Sequence, residues 1–173
     1  MPRFLKHVTR LSFAALTLAL MPPFGAEAQD AAFEDYLRTM SLAPGLSVSL
    51  MHLNAVTLPV VFQPPTFYVM RARTGQATLF YVQGTAQQAV NLDTDGFTLE
   101  QDGQSTPGQT TNISNFEDGA VSNGDRVDGV VEFATKPDLA KPFSVKHGSE
   151  TVIFAFTEAQ IAAAVPPPAP PAQ

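Results

Sequence analysis

Over residues 46–52 apolar and polar positions alternate, so that Leu46, Val48, Leu50 and His52 fall on one side of an extended chain and Ser47 and Ser49 on the other. The same reading predicts further strands over 66–73, 77–82, 97–100, 126–133, 142–147 and 151–156. Turn residues separate nearly all of them: Thr74-Gly75, Asp95-Gly96, Asp102-Gly103, Asn123-Gly124 and His147-Gly148. Short strands with such frequent turns imply a sandwich or a barrel. The alternation also names a core. Val127, Val131 and Phe133 share one face of their strand, with Asp128 and Glu132 on the other, while Phe143 and Val145, then Val152, Phe154 and Phe156, line the last two strands. Pro59 interrupts the apolar run at 56–62 and Pro64-Pro65 closes it, which confines that segment to an edge or a crossover.

The period changes near the start of the chain. Phe33, Tyr36, Leu37 and Met40 recur at three- and four-residue steps, with Asp30, Glu34 and Asp35 early enough to complement a helix dipole. This spacing predicts an amphipathic helix within 29–44, stopped by Pro44-Gly45 and packed on the β domain over 45–157. A helical turn is expected at 158–164. The proline-rich run beyond it can only be an extended, solvated tail.

Ahead of all this, residues 1–28 have the form of a cleavable secretory signal peptide. Arg3, Lys6 and Arg10 precede an apolar run over 11–21, and Ala26-Glu27-Ala28 offers a small-x-small cleavage site. Export to a bacterial periplasm or to the medium is the expected destination. The leader holds three of the ten basic residues and one of the sixteen acidic ones, so seven basic against fifteen acidic leave the mature chain at −8. A surface of that sign repels phosphate backbones and anionic lipid headgroups, which argues against nucleic acid or a membrane as partner. With no cysteine in the chain, disulfides, a thiol nucleophile and a lipid-modified cysteine are all excluded. Thirteen phenylalanines and no tryptophan point to interdigitated sheet faces in preference to a sugar-binding platform.

Within 91–156, an Asp-Gly hairpin and the segment Gly124-Asp125-Arg126-Val127-Asp128-Gly129-Val130-Val131-Glu132-Phe133 are followed by a final pair of strands. This block resembles the telokin-like, immunoglobulin-type domains of bacterial secreted proteins. The resemblance implies an all-β, immunoglobulin-like β-sandwich of about seven strands with no assigned catalytic residues.

Candidate chemistry is sparse. A hydrolytic triad needs a histidine base; past the leader there are only His52 and His147, and no Gly-x-Ser-x-Gly elbow presents a serine. Asp93-x-Asp95-Gly96 resembles the opening of a calcium loop. Counting from Asp93, however, Phe97, Thr98 and Gln104 stand where a further oxygen ligand, a glycine and a bidentate glutamate belong. A turn accounts for Asp93 and Asp95 without metal. A second acidic cluster, Glu117, Asp118, Asp125 and Asp128, holds Arg126 within it, so Asp93, Asp95, Asp125 and Asp128 are the calcium candidates. Arg71 and Arg73, alternating on one face of the strand expected at 66–73, could clamp a carboxylate or phosphate. The chain therefore reads as an exported, non-enzymatic binding or structural module without cofactor, acting on another envelope or extracellular protein. The alternatives are a small-ligand-binding β-barrel with an apolar cavity, a calcium-binding domain, or a hydrolase in which a histidine meets carboxylates.

Overall fold

A computed structural model describes residues 33–165; the leader at 1–28 and the proline-rich tail past 165 lie outside them. Ten strands form: β1 (Leu37–Ala43), β2 (Leu46–His52), β3 (Thr78–Thr85), β4 (Val90–Leu92), β5 (Thr98–Gln101), β6 (Gln104–Ser114), β7 (Gly119–Val121), β8 (Arg126–Phe133), β9 (Phe143–His147) and β10 (Glu150–Phe154). Three helices accompany them: α1 (Leu58–Val61), α2 (Thr66–Thr74) and α3 (Glu158–Ala164).

Eight strands make one antiparallel sheet in the order β1-β2-β3-β8-β6-β5-β9-β10, and β4 and β7 pair in a separate ribbon. The sheet curls until β10 lies along β1 without a backbone ladder between them; Arg38 Nε on β1 donates across the seam to the Ile153 carbonyl at 3.2 Å. The bend is made by β6. Its residues 104–107 pair with β5 and 108–114 with β8, so the strand changes partner at Pro107-Gly108. Strands that turn a corner in this way do so at bends and bulges, where a residue without an N–H and one without a side chain are tolerated. In place of a two-sheet sandwich of about seven strands, the chain forms one nearly closed sheet of eight.

The interior is filled. Phe80, Phe97, Phe116, Phe133, Phe143 and Phe154 are all buried, with Leu50, Val82, Val127, Val131 and Val145 between them. The rings of Phe143 and Phe154 stack at 5.4 Å, and Phe80 meets Phe154 at 5.0 Å and Phe133 at 5.9 Å. These phenylalanines occupy the interior of the curled sheet. Outside the barrel a second cluster forms. Met51, Leu79, Tyr81 and Val130, on the outer face of β2, β3 and β8, are covered by Leu58, Phe62 and Met70 from the α1–α2 segment. This explains why β3 reads as the unbroken apolar run Leu79-Phe80-Tyr81-Val82, since both of its faces are buried.

Two elements depart from the pattern reading. The helix expected within 29–44 is strand β1 over Leu37–Ala43, which joins β2 through the two-residue turn Pro44-Gly45. Met40 and Leu42 face the barrel interior while Leu37 packs outward, so burial on both faces produced a spacing that imitates a helix. The strand expected at 66–73 is helix α2, with Phe67 and Met70 turned toward the outer cluster. Thr, Phe, Tyr and Val favour strands locally, but Pro65 before the first turn and Gly75 after the last are the punctuation of a helix. The expected helix at 158–164 forms, closed at its start by a capping box between Thr157 and Gln160.

Turn chemistry is followed closely where paired strands meet. Asp102 and Gly103 join β5 to β6 with φ of 51° and 77°, the left-handed pair that a two-residue hairpin of this twist requires. By contrast Asp95-Gly96 joins β4 to β5, which are not partners, so it is a loop turn and not a hairpin.

Candidate functional site

The polar end of β2 and the turn after it are built from one hydrogen-bond network. Asn54 Oδ1 accepts the N–H groups of Val56 at 2.8 Å and Thr57 at 3.2 Å, and the Thr57 hydroxyl donates to the His52 carbonyl at 2.8 Å while accepting from the Asn54 N–H at 2.9 Å. These bonds start α1 and fix which way the Asn54 amide faces. Its Nδ2 is left to donate to the His52 carbonyl and to Nδ1 of the His52 ring, each at 3.4 Å. Nδ1 is then an acceptor, and the ring proton sits on Nε2. The ring is buried against Phe80 at 5.3 Å and Phe156 at 5.6 Å. Burial, reinforced by the charge of Lys136, lowers its pKa to about 4, so the imidazole is neutral through the physiological range.

His52 opens onto a cleft of about 250 Å³. Five segments build it: the β2 end with Leu53 and Asn54, the C-terminal turn of α2 with Arg71 and Thr74, the start of β3 with Ala77 and Thr78, the β8–β9 loop with Lys136 and Leu139, and the end of α3 with Ala164. The segments are tied to one another. Lys136 Nζ donates to the Gly75 carbonyl at 3.2 Å, the Ala55 N–H to the Ala164 carbonyl at 3.2 Å, and the Thr78 hydroxyl to the Thr135 carbonyl at 2.7 Å. No carboxylate is among the described residues that line it. His52 lines the cleft, and its Nε2, the protonated nitrogen of this tautomer, has no hydrogen-bond partner among the described residues.

The residues singled out from the sequence are distributed differently. Arg71 lines the cleft, but Arg73 does not: it pairs with Glu132 on the outer face of β8. Residues two apart on a helix point to opposite sides, so the two-arginine clamp expected of a strand does not form. Asp93 and Asp95 do come together, with Asp118 as the third carboxylate, all exposed and within 4.8 Å of one another. Their oxygens already serve the loop, since Asp118 Oδ1 accepts the N–H and hydroxyl of Thr94 at 2.7 and 2.8 Å and Asp93 Oδ1 accepts the Asp95 N–H at 3.0 Å. Those bonds hold the Asp118 carboxyl below its ordinary pKa. Asp125 and Asp128 stand apart from this group. Asp125 accepts from the Ser122 N–H at 3.0 Å in the turn before β8, and Asp128 is buried under Arg126 and the Tyr81 hydroxyl. His147 is also remote from the cleft, buried against Phe97, with Nε2 on the Asp93 carbonyl at 2.9 Å.

Among the described residues neither His52 nor His147 has a carboxylate as a hydrogen-bond partner. Lys136 and Asn54, which matter most to the cleft beside Arg71 and His52, carried no signal of their own. The one available hint was Asn54 standing three residues before Thr57, just ahead of Leu58-Pro59, a pattern that announces a helix start.

No protein-family model matches the chain, and no curated protein matches it. Among solved structures it is similar to a functionally unknown protein from Listeria monocytogenes EGD-e, at 14% identity over 69% of this chain and 86% of that chain, with a TM-score of 0.37.

Proposed function

We propose that this protein is a non-enzymatic binding module, delivered outside the cytoplasm by its leader, that holds an anionic group of its ligand or protein partner in the cleft beneath α2. One observation carries the reading. The described residues include seven cations in an acidic chain, and four of these, Arg73, Arg126, Lys141 and Lys146, pair with Glu132, Asp128, Asp102 and Glu100. Arg38 spends its guanidinium on the carbonyls of Asp35, Leu37 and Ile153 and on the Phe154 ring. Among the described residues Arg71 and Lys136 pair with no carboxylate and both line the same cleft, where Lys136 Nζ donates one hydrogen bond to the Gly75 carbonyl. Cations left unneutralised beside a partly desolvated donor make an anion receptor. Among the described residues that line the cleft none is a carboxylate that could serve His52, which favours binding over hydrolysis.

The test is an amide-resolved NMR titration of the mature domain with sodium acetate and with inorganic phosphate at low ionic strength. Shifts confined to His52–Ala55, Thr74–Thr78 and Lys136, abolished in Arg71→Ala/Lys136→Ala, support the reading. Shifts elsewhere, or shifts that survive the double substitution, sink it.

A further inference from the structure

From the same cleft we infer the class of ligand: a monocarboxylate on a short apolar body, its carboxylate between Arg71, Lys136 and His52 Nε2 and its body against Leu53, Ala77 and Leu139. This rests on the anion-binding reading above and narrows it by charge and by wall chemistry.

The charge comes first. Arg71 and Lys136 supply two positive charges, but the cleft also receives the C-terminal ends of two helices, α2 at Thr74-Gly75 and α3 at Ala164. Each such end carries about half a negative charge. The net field is near one positive charge, which suits a monoanion and opposes a dianion. Phosphate sites are built the other way round, from helix N-termini and converging free backbone N–H groups; here the N–H groups of Val56 and Thr57 that begin α1 are bound to Asn54 Oδ1 and that of Ala55 to the Ala164 carbonyl. The donor count agrees. Two cations and one ring N–H match the acceptor positions of a single carboxylate, and the neutral ring adds a hydrogen bond without adding charge.

The walls then decide what the carboxylate is attached to. Leu53, Ala77, Pro137, Leu139 and Ala164 surround the polar group, so most of the lining is hydrocarbon. At about 250 Å³ the cleft falls below the size of sites for drug-sized molecules, so it takes a short chain or a single side-chain end. A small aliphatic acid and the C-terminal residue of a partner protein share this chemistry.

The same NMR titration decides it with four probes at pH 7.5: hexanoate, 1-hexanol, inorganic phosphate, and N-acetyl-leucine as a mimic of a peptide end. Hexanoate or N-acetyl-leucine is expected to bind at least tenfold more tightly than hexanol or phosphate. Arg71→Ala and Lys136→Ala should each weaken it about tenfold; Arg71→Ala, whose side chain makes no hydrogen bond or ion pair among the described residues, should leave the thermal midpoint unchanged, while Lys136→Ala also loses the bond to the Gly75 carbonyl. Whichever of the two acids binds more tightly identifies the source, a free aliphatic acid or a protein C-terminus. Phosphate binding as tightly as hexanoate overturns the ligand class while leaving anion binding intact. Hexanol binding as tightly as hexanoate, or no probe moving the cleft amides, overturns both.

Discussion

Gly129 is the place where one added carbon has the clearest consequence. It lies on β8 between Val127 and Val131, its open side under the ring of Phe116; a Cβ there would stand 2.5 Å from Cγ and 2.8 Å from Cε1 of that ring, and nearer still to Cδ1. Ordinary carbon contacts lie at about 3.5–4.0 Å, so in Gly129→Ala the Cδ1 edge of the ring must retreat by roughly 1.5–2 Å. Phe97 stands behind it at 6.2 Å between ring centroids, and both rings are buried. Overpacking of this kind costs about 1–3 kcal/mol, from which the lower entropy of the unfolded alanine chain removes about 0.4–1 kcal/mol. The expected net loss is about 1–2 kcal/mol, seen as a thermal midpoint lower by about 3–8 °C. Urea unfolding of four proteins completes the test: wild type, Gly129→Ala, Phe116→Ala and the double variant. Phe116→Ala alone should cost about 3–5 kcal/mol. In the double variant the methyl added on β8 occupies space the ring has left, so the losses should fall short of additivity by at least about 1 kcal/mol. A Gly129→Ala protein as stable as wild type, or strictly additive losses, would refute this account of the core.

The cleft histidine makes stability pH-dependent. Its pKa lies at about 4 folded against 6.5 unfolded, so its contribution is complete above pH 6.5 and is lost as pH falls toward 4. That loss amounts to about 3 kcal/mol, and His52→Gln should flatten the pH profile of unfolding in this window. Tyr81→Phe removes the hydroxyl that donates to buried Asp128 and should cost about 1–3 kcal/mol by urea unfolding. Burial, reinforced by that hydrogen bond, raises the Tyr81 pKa, so wild-type stability should fall as pH rises beyond 10 and the variant should lose part of this dependence. Arg73→Ala should change the thermal midpoint by no more than a degree or two, because its pair with Glu132 is partly solvated.

What the sequence disclosed follows from how each strand is buried. β2 and β8 were legible over their full lengths because an inward apolar set alternates with Ser, Asp or Glu along most of each strand. β6 was not, although it is the longest strand, because Gln, Thr, Asn and Ser fill Gln104–Ser114 and its stability comes from ladders to β5 and β8. β1 and α2 were exchanged in type for opposite reasons. A strand packed on both faces loses its two-residue period, and a short helix rich in Phe, Tyr, Thr and Val acquires strand propensity. Of the site, Arg71 was visible as a charged residue in an apolar stretch. Its partnership with Lys136 was not, because the two are sixty-five positions apart and meet only where the α2 end and the β8–β9 loop converge.

The seam between β1 and β10 sets how the molecule breathes. Every other junction of the large sheet is a hydrogen-bonded ladder, whereas this one carries the Arg38 guanidinium on the Ile153 carbonyl and little else that is directional. Opening there breaks no ladder, so the cylinder can part along one line while the other seven junctions stay shut. Amides of β1 and β10 that face the gap would exchange with solvent long before those of β3 and β8. The fold is thus a sleeve with a single fastening, and hydrogen exchange is expected to show the first opening of the phenylalanine interior along that line.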